Sequence, residues 1–472
     1  MHIKAMTPLR PDPFRFRPLR SLLALTVLLS PLMGLDAAAA GPDIQHWQAA
    51  TGARVYFVES RALPLIDIQI AFPAGSAFDP PDSAGVAGLT RGLLDAGADG
   101  LDEQEIAERI ADTGARLGGG ASLDQATLSV RTLSSATERD AAISLAARLL
   151  ASPTFPADIL ERERARSIAG LREALTRPDT LAARRFMETI YGTHPYGRYT
   201  TVESLERITR EQLQAFHRTH YTAGNAAVTI VGDVSRADAD AIAQSLTKGL
   251  PAGTPVAPLA TPQLPARTTE HIAHPSAQAH ILLGLPGMSR DDPDYFPLLV
   301  GNYVLGGGGF VSRLTKEVRE KRGFAYSVSS HFQPQRVAGP FEIGLQTRGS
   351  QAQEALQVTR AVLDEFVTKG PSAAELKAAR DNLINGFGLR LDSNRKILDH
   401  VAMIGFYELP LDWLETYPKK VAAVTVEAVR DAFARRVRAD NLVTVIAGGD
   451  GDSGGSGANG TTPSAGKTGR GN

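Results

Sequence analysis

Apolar residues in the first half of the chain occur either in short β-branched runs or in longer stretches with helical spacing. The short runs are typical of buried strands. They lie at Val55–Val58, Leu65–Phe72 and Ala126–Leu133. Apolar residues three and four positions apart predict amphipathic helices. These cover Gly85–Ala96, Glu103–Ala115, Ala136–Leu150 and Asp158–Leu175.

The second half shows the same alternation of strand and helix patterns. Strands are predicted over His280–Leu285, Phe324–His331 and Pro340–Leu345. Helices are predicted over Phe296–Leu305, Val311–Lys321 and most of Gln353–Phe387. Mixed strand and helix runs of this kind indicate the α+β fold class.

An internal repeat relates the two halves. Each copy consists of an amphipathic helix, a turn at Asn and a β-branched strand that ends in Gly. The anchor residues are Thr209, Asn225 and Gly232 in the first copy and Thr425, Asn441 and Gly448 in the second. Each pair is separated by 216 positions, and a chance similarity of two helix–strand units would not keep one offset at three points.

The repeat and the proline content define a domain organisation. Five prolines fall within residues 251–265, which predicts an extended linker. We therefore expect two homologous mixed α/β domains, at residues 45–250 and 266–448, joined by this linker.

The two ends of the chain have the composition of segments outside the fold. Residues 1–40 combine a basic region, a short apolar run and Ala37–Ala39, which is typical of an export signal cleaved near Ala40 or Gly41. An uncleaved anchor is the weaker alternative, because the apolar run is shorter than the about 20 residues that span a bilayer. We expect a periplasmic protein without stable membrane insertion. Residues 449–472 are rich in Gly and Ser and predict a disordered tail.

The composition of the chain excludes several classes of ligand and of catalytic group. The 50 Lys and Arg residues balance 51 Asp and Glu residues, so the chain lacks the positive field of a nucleic-acid-binding protein. Hydrophobic residues make up 43%, which is enough for sizeable cores. There is no Cys, which excludes disulfides, cysteine nucleophiles and thiolate metal ligands.

Six short stretches are more informative together than singly. They are Phe72–Ser76, Gly85–Gly88, His194–Gly197, Leu305–Gly308, Ser312–Leu314 and Val318–Tyr326. Together they resemble the pitrilysin/insulinase peptidases, also called inverted zincins, over about Trp47 to Gly448. The resemblance implies two domains with the metallohydrolase fold of mitochondrial processing peptidase.

The sequence departs from this family at the metal motif. Peptide-cleaving members carry H-x-x-E-H on a helix of the first domain, where two His bind Zn²⁺ and the Glu activates a water. Here Gly88 and Gly92 replace the two His, and Arg91 replaces the Glu. We therefore expect no metal in this chain, no catalytic residues at these degenerate positions, and a cation directed to the metal position.

The remaining candidate ligands do not restore a metal site. The third family ligand aligns with Gly170, with Glu173 within a turn, and no H-x-x-E-H or H-E-x-x-H occurs in the chain. Other candidate ligands are Glu270, His271, His274 and His280, the pair His217 and His220, and His194. Glu270 and His271 are adjacent on a predicted strand and face opposite sides. We interpret the His pair as structural and His194 as a loop hydrogen-bonding residue.

The glycine quartet Gly306–Gly309 does not continue as a nucleotide-binding loop. Such a loop requires Gly-Lys followed by Ser or Thr, whereas Phe310 and Val311 follow here. A turn with close backbone approach is the better interpretation. The resemblance implies a flexible glycine loop beside the substrate chamber.

Arg319 and Tyr326 are the predicted substrate-binding residues. The resemblance implies that an Arg and a Tyr seven positions apart bind the substrate backbone near the scissile carbonyl, and these two residues have that spacing. A guanidinium and a phenol stabilise negative charge on a carbonyl oxygen. The alternative is a basic helix end followed by an ordinary strand tyrosine.

These observations lead to one functional hypothesis and one alternative. The resemblance implies a zinc-free, catalytically incomplete subunit that binds peptide and completes the chamber of a zinc-bearing homologous partner in a two-chain metallopeptidase. The alternative is a non-catalytic scaffold or peptide-binding protein of the same fold. An autonomous metalloprotease would need an unrecognised zinc site.

Overall fold

The structure, a computed structural model, describes residues 41–449 of the 472-residue chain. The predicted export signal and the predicted tail beyond Gly449 lie outside the described residues. Across residues 41–449, no helix is both long and apolar enough to span a membrane.

A six-stranded sheet forms the centre of the first half. The strands of this half are β1 (Gln45–Gln48), β2 (Arg54–Glu59), β3 (Leu65–Phe72), β4 (Gly97–Ala98), β5 (Leu101–Asp102), β6 (Arg116–Gly118), β7 (Ala126–Leu133) and β8 (Ala227–Gly232). The helices are α1 (Val86–Gly92), α2 (Glu103–Thr113), α3 (Ala136–Ala151), α4 (Ala157–Ala174), α5 (Pro178–Tyr191), α6 (Val202–Arg207), α7 (Arg210–His220) and α8 (Arg236–Thr247). The sheet order is β1-β2-β8-β3-β7-β6, and β4 and β5 form a separate two-stranded sheet.

A five-stranded sheet forms the centre of the second half. Its strands are β9 (Thr268–Ile272), β10 (Gln278–Met288), β11 (Ala325–Phe332), β12 (Gly339–Arg348) and β13 (Val443–Gly448). The helices are α9 (Tyr295–Asn302), α10 (Ala352–Lys369), α11 (Ala373–Asn385), α12 (Asn394–Tyr407), α13 (Trp413–Ala422) and α14 (Val426–Arg436). The sheet order is β11-β12-β10-β13-β9.

Five strands of the first sheet, all except β1, repeat the order and directions of the strands in the second sheet, which confirms the predicted pair of homologous domains. In the first sheet β2 and β8 are parallel, while β8–β3 and β3–β7 are antiparallel. In the second sheet β9 and β13 are parallel, while β13–β10 and β10–β12 are antiparallel. The predicted strands Leu65–Phe72 and Ala126–Leu133 coincide with β3 and β7.

The repeat anchors occupy equivalent structural positions. Thr209 and Thr425 are the N-caps of α7 and α14, and each hydroxyl accepts a hydrogen bond from the backbone N–H three residues later. Gly232 and Gly448 end β8 and β13 with φ of +153° and +83°, a conformation that favours glycine. The repeated motif is therefore a repeated cap, turn and strand end.

The repeated asparagines hold the two ends of the proline-rich segment. The side-chain amide of Asn225 donates to the carbonyl of Thr254 at 2.7 Å, and that of Asn441 donates to the carbonyl of Pro265 at 2.7 Å. Residues 251–267, which include both of these carbonyl acceptors, form neither helix nor strand. One residue type thus ties each domain to its end of the connecting segment.

Each sheet is covered on one face by a helix from the other half. Helix α5 packs on β10 and β13, while α12 packs on β8, β3 and β2. Phe186 of α5 lies in one apolar cluster with Val443 and Val445. On the other side, a Cβ on Gly405 of α12 would lie 2.6 Å from the ring of Tyr56, so the helix approaches its sheet closely. Each half thus contributes one helix to the packing around the sheet of the other half.

A buried carboxylate joins loops from both halves. Asp124, which is fully buried, accepts hydrogen bonds from the hydroxyl of Tyr196 and, at 2.9 Å, from that of Tyr407. The backbone N–H of Arg336 donates to the same carboxylate at 2.8 Å. Tyr196 belongs to the first half, whereas Tyr407 and Arg336 belong to the second, so this network connects the domains.

Candidate functional site

Helix α1 carries the degenerate metal motif, and its position is fixed by a buried cap. Gly85 has a φ of +107°, and its N–H donates to Asp79 at 2.6 Å. The second carboxylate oxygen of Asp79 accepts from the N–H of Ala87 at 2.8 Å. Burial raises the pKa of Asp79 to about 6, although these backbone hydrogen bonds act in the opposite direction.

A cavity of about 570 Å³ lies beside the motif. Gly88 and Gly92 line it from α1, while Glu163 and Ser167 line it from α4. A Cβ atom at Gly88 or Gly92 would meet no atom within 4 Å in the described part of the chain. The space that two imidazoles would occupy is thus open.

The residues at this position do not fit zinc. Glycine has no donor atom in its side chain, and of the cavity-lining residues only Asp79 and Glu163 carry charged oxygen donors. The carboxylate of Asp79 is engaged by the backbone of α1. Over residues 41–449, no group of three or more His, Cys, Asp or Glu side chains is placed to hold a metal ion.

The expectation that Arg91 directs its charge to the metal position is wrong. Its guanidinium donates to the backbone carbonyls of Thr127 and Gly118, on β7 and at the end of β6. Arg91 is 7% exposed and does not line the cavity, and burial lowers the pKa of its guanidinium. Two carbonyl acceptors at the sheet edge compensate the buried charge and draw the long side chain away.

The face of α4 that meets the cavity differs from the predicted one. Glu163, Ser167 and Leu171 line the cavity at intervals of four residues, whereas Gly170 and Glu173 do not line it. The side chain of Glu163 lies 3.0 Å from the guanidinium of Arg162. The spacing of four residues between Glu163, Ser167 and Leu171 in the sequence indicates that they share one helix face. The resemblance to the family instead predicts the third ligand position at Gly170.

The histidines of the first domain make structural contacts. His217 approaches the carbonyl of Leu150 at 2.9 Å, and burial lowers its pKa to about 4. His220 bonds the carbonyl of Pro73 at 3.1 Å. His194 accepts from the N–H of Tyr196 at 3.1 Å and contacts the carbonyl of Ala260 at 2.9 Å. These contacts agree with the interpretation of all three as structural residues.

Within residues 41–449, the candidate ligands Glu270, His271, His274 and His280, on β9, β10 and the turn between them, form no group of three that could hold a metal ion. Glu270 binds Arg185 and accepts from the hydroxyl of Thr189 at 3.0 Å. His274 bonds the carbonyl of Thr176 at 2.9 Å. Glu270 is therefore an ion-pair residue between α5 and the second sheet.

Arg319 and Tyr326 are brought together at an exposed edge. Arg319 lies in a π-type turn, Thr315–Glu320, and its guanidinium carbon is 5.6 Å from the centroid of the Tyr326 ring. Tyr326 is 80% exposed. The pairing of β11 with β12 shifts between Ala325 and Ser327, so Tyr326 is the extra residue of a bulge on an edge strand. A bulge redirects a side chain outward, as observed here.

The first three glycines of the quartet, Gly306–Gly308, are packed tightly, whereas a Cβ on Gly309 would meet no described atom within 4 Å. A Cβ on Gly306 would lie 2.4 Å from the backbone nitrogen of Ser330, and one on Gly308 would lie 2.6 Å from the carbonyl oxygen of Tyr303. Gly309 has a φ of +61°. The contacts of Gly306 and Gly308 agree with the predicted close backbone approach, and Phe310 follows directly after the quartet.

That residue, Phe310, was not predicted as part of a site. It is 69% exposed, and the guanidinium carbon of Arg319 lies 5.2 Å from its ring centroid. The guanidinium of Arg319 therefore contacts two aromatic rings. The only signal in the sequence was an aromatic residue directly after four glycines.

Comparison with known proteins supports the family assignment. Residues 57–202 match the insulinase family (peptidase family M16), and residues 207–383 match the peptidase M16 inactive domain. The crystal structure of a peptidase M16 inactive domain from Pseudomonas fluorescens is 40% identical, with a TM-score of 0.82, covering 86% of this chain and 97% of that one. The crystal structure of a protease from Helicobacter pylori, 19% identical with a TM-score of 0.76 over 86% of this chain and 99% of that one, shares the fold.

Two similar proteins have contrasting names, since one is called a non-peptidase homolog and the other a zinc protease. A non-peptidase homolog of Helicobacter pylori, YmxG, is 24% identical over 89% of this chain and 97% of its own length. An uncharacterized zinc protease of Streptomyces coelicolor is 32% identical over 53% of this chain, and the match spans 56% of that protein. With the degenerate motif and the paired domains, these comparisons show that the chain belongs to the insulinase (M16) peptidase family, with a second domain of the type described as inactive.

Proposed function

We propose that this chain is the zinc-free subunit of a two-chain insulinase-family peptidase. In this proposal it binds peptide through Arg319 and Tyr326 and completes the chamber of a homologous partner that holds the zinc. It would be catalytically incomplete alone. The observation that carries the proposal is the contrast between a motif cavity that has glycine at both His positions and an exposed Tyr326 beside a half-buried Arg319.

The Arg–Tyr pair has the chemistry that substrate binding requires. Within residues 41–449, Arg319 forms no ion pair, and its guanidinium contacts the rings of Phe310 and Tyr326. Its N–H donors and the Tyr326 hydroxyl therefore remain available. Such donors stabilise negative charge that develops on a peptide carbonyl oxygen.

The alternative function is a scaffold or peptide-binding protein without a catalytic partner. The contacts of Arg319 with the rings of Phe310 and Tyr326 favour this alternative, because a guanidinium engaged by its own chain needs no substrate as a partner. The name of the Helicobacter pylori relative, a non-peptidase homolog, is compatible with both functions.

Reconstitution with a zinc-motif-bearing homologue from the same genome tests the proposal. Peptide hydrolysis should appear on mixing, and Arg319→Ala or Tyr326→Phe should lower turnover by about 10²–10³, as the loss of a transition-state donor does. Arg319→Lys should not restore the rate, because an ammonium lacks the planar fork of a guanidinium. Sedimentation of the mixture checks that assembly is intact. Wild-type rates in both variants would favour the scaffold function.

We also propose that the chain is exported to the periplasm. The support is the composition of residues 1–40, which lie outside the described residues. N-terminal sequencing of the protein from a periplasmic extract should give a start near Ala40 or Gly41. A start at Met1 would contradict export with cleavage.

A further inference from the structure

A second cavity, of about 380 Å³, lies in the second domain at the position that the motif cavity has in the first. The strand order of the two sheets makes β10 the counterpart of β3 and β11 the counterpart of β6. The motif cavity is lined by α1, the first α-helix after β3, and by the connection from β6 to β7. The second cavity is lined by Tyr295, Leu299 and Asn302 of α9, the first α-helix after β10, and by Gln333–Gln335, which follow β11. We call it the α9 cavity.

The lining of the α9 cavity suits an anion with an apolar body. Met288, Tyr295, Leu299 and Phe332 contribute apolar or aromatic walls. Arg290 is the one charged residue among the lining residues that the structure describes, and no Asp, Glu or His is among them. Ligand sites typically combine such walls with a few polar groups that orient the ligand.

Arg290 lacks a partner for its charge. Its side chain is half-buried, and over residues 41–449 it forms no ion pair and its buried Nε has no hydrogen-bond partner. Its guanidinium carbon lies 5.3 Å from the ring centroid of Tyr407. A contact with a ring face leaves the N–H groups at the edge of the guanidinium plane without acceptors. An anion in the cavity would supply an acceptor for the terminal nitrogens.

The acidic residues around Arg290 are engaged elsewhere. Asp291 accepts from a neighbouring serine hydroxyl at 2.7 Å, while Asp292 and Asp294 form ion pairs with arginines of α14. Asp124 accepts from two tyrosine hydroxyls and a backbone N–H. The charge of Arg290 is therefore available to a ligand.

The backbone and walls of the α9 cavity are held by hydrogen bonds. The N–H of Arg290 donates to the carbonyl of Gln335 at 2.8 Å, and the side-chain oxygen of Gln335 accepts from the hydroxyl of Tyr407 at 3.2 Å. The amide of Asn302 donates to the carbonyl of Ser330 at 3.0 Å and accepts from its hydroxyl at 2.7 Å. A site with fixed walls loses less conformational entropy when it binds.

We propose that the α9 cavity binds a carboxylate that carries an apolar side chain, as an acylated apolar amino acid or the C-terminal residue of a peptide does. The two oxygens of the carboxylate match the planar fork of the Arg290 guanidinium, and the apolar walls cover the side chain. Arg319 and Tyr326 do not line this cavity. The inference therefore stands independently of the proposed function.

Ligand-observed NMR titrations of the purified chain test this site. N-acetyl-phenylalanine should bind at least about tenfold more tightly than N-acetyl-phenylalaninamide, because only the acid offers a charged acceptor to Arg290. It should also bind about tenfold more tightly than N-acetyl-alanine, since covering one aromatic side chain is worth about that factor. A hexapeptide of Gly and Ser that ends in phenylalanine, with a free or an amidated C-terminus, distinguishes the two sources of the carboxylate.

Variants assign the binding to the cavity. Arg290→Gln should remove the preference for the acid over the amide, and Leu299→Trp, which fills the cavity and keeps the charge, should abolish binding of both. Arg336→Gln is the matched control, because the Arg336 guanidinium also lies against the Tyr407 ring, at 5.6 Å, but donates to the carbonyl of Phe406 and lines a different cavity. It should leave the preference unchanged. Thermal unfolding followed by circular dichroism checks that each variant is folded.

The outcomes decide both the site and its ligand. A hexapeptide that binds only with a free C-terminus supports a peptide end as the ligand, whereas binding of N-acetyl-phenylalanine without the hexapeptide supports a small carboxylate. Equal binding of acid and amide, no binding of either at millimolar concentration, or an unchanged preference in folded Arg290→Gln would overturn the site. If Arg290→Gln does not fold, undiminished binding to Leu299→Trp would overturn it. Equal binding of the phenylalanine and alanine acids would overturn its apolar selectivity.

Discussion

Replacing Asp124 with asparagine should destabilise the whole chain, because this carboxylate joins the two domains. It accepts from the hydroxyls of Tyr196 and Tyr407 and from the N–H of Arg336, and it is fully buried. An asparagine has a single acceptor oxygen, and its amide N–H groups would face donors. At least one buried donor would then lose its partner.

The size of the effect follows from these three hydrogen bonds. A hydrogen bond to a charged group contributes about 1.5–3 kcal/mol, and a buried donor left unpaired costs about 1–3 kcal/mol. Relief of the cost of burying a carboxylate offsets part of this loss. We therefore expect Asp124→Asn to lower the free energy of unfolding by about 2–4 kcal/mol, a large share of the roughly 5–15 kcal/mol of a typical protein.

Urea unfolding followed by circular dichroism measures this change. Asp140→Asn is the control, since Asp140 forms an exposed ion pair with Arg139 at 2.7 Å, and such pairs contribute at most about 1 kcal/mol. A double-mutant cycle with Tyr407→Phe should give a coupling energy of at least about 1 kcal/mol. If Asp124→Asn unfolded within about 0.5 kcal/mol of the wild type, or the cycle gave no coupling, the network would not join the domains as described.

Three further predictions concern the motif, a buried histidine and the Arg–Tyr pair. The double variant Gly88→His, Gly92→His places two imidazoles in open space one turn apart and should bind Zn²⁺ measurably in competition with a chromophoric chelator; no gain over the wild type would mean that the cavity is not a vacated metal site. The pKa of His217 is about 4 in the folded chain and about 6.5 when unfolded, so the unfolded state gains a proton first as pH falls, and stability should decrease between pH 6.5 and 4. His217→Gln should reduce the slope of the unfolding free energy in that window, and an unchanged slope would contradict the assignment. Tyr326→Phe should leave the free energy of unfolding within about 0.5 kcal/mol of the wild type, because Tyr326 is exposed, and Arg319→Ala should cost no more than about 2 kcal/mol, because the half-buried Arg319 guanidinium contacts two rings and forms no ion pair within residues 41–449; larger losses would make them structural residues.

The sequence predicted the features that depend on local pattern. The two strands β3 and β7 follow from β-branched runs, and the repeat follows from anchors whose roles are local: a helix cap, a turn and a glycine with positive φ. Such features recur wherever the local geometry recurs. The fold class and the two homologous domains could therefore be predicted.

Long-range contacts could not be predicted in the same way. Periodicity identifies the apolar face of a helix but not the sheet that receives it, so the exchange of α5 and α12 between the halves was not foreseen. The predicted position of the Arg91 charge was wrong, because a long side chain can reach acceptors on strands that are distant in the sequence. The role of Asp124 and the exposure of Phe310 likewise depend on which loops meet.

We expect this chain to have no zinc site of its own and no peptidase activity alone. Elemental analysis of the purified mature chain after equilibration with Zn²⁺ and dialysis, with hydrolysis of a quenched fluorescent peptide measured on the same sample, tests it most directly. We predict far less than one zinc ion per chain and no hydrolysis above background. One zinc ion per chain, together with hydrolysis that a chelator abolishes, would contradict the account.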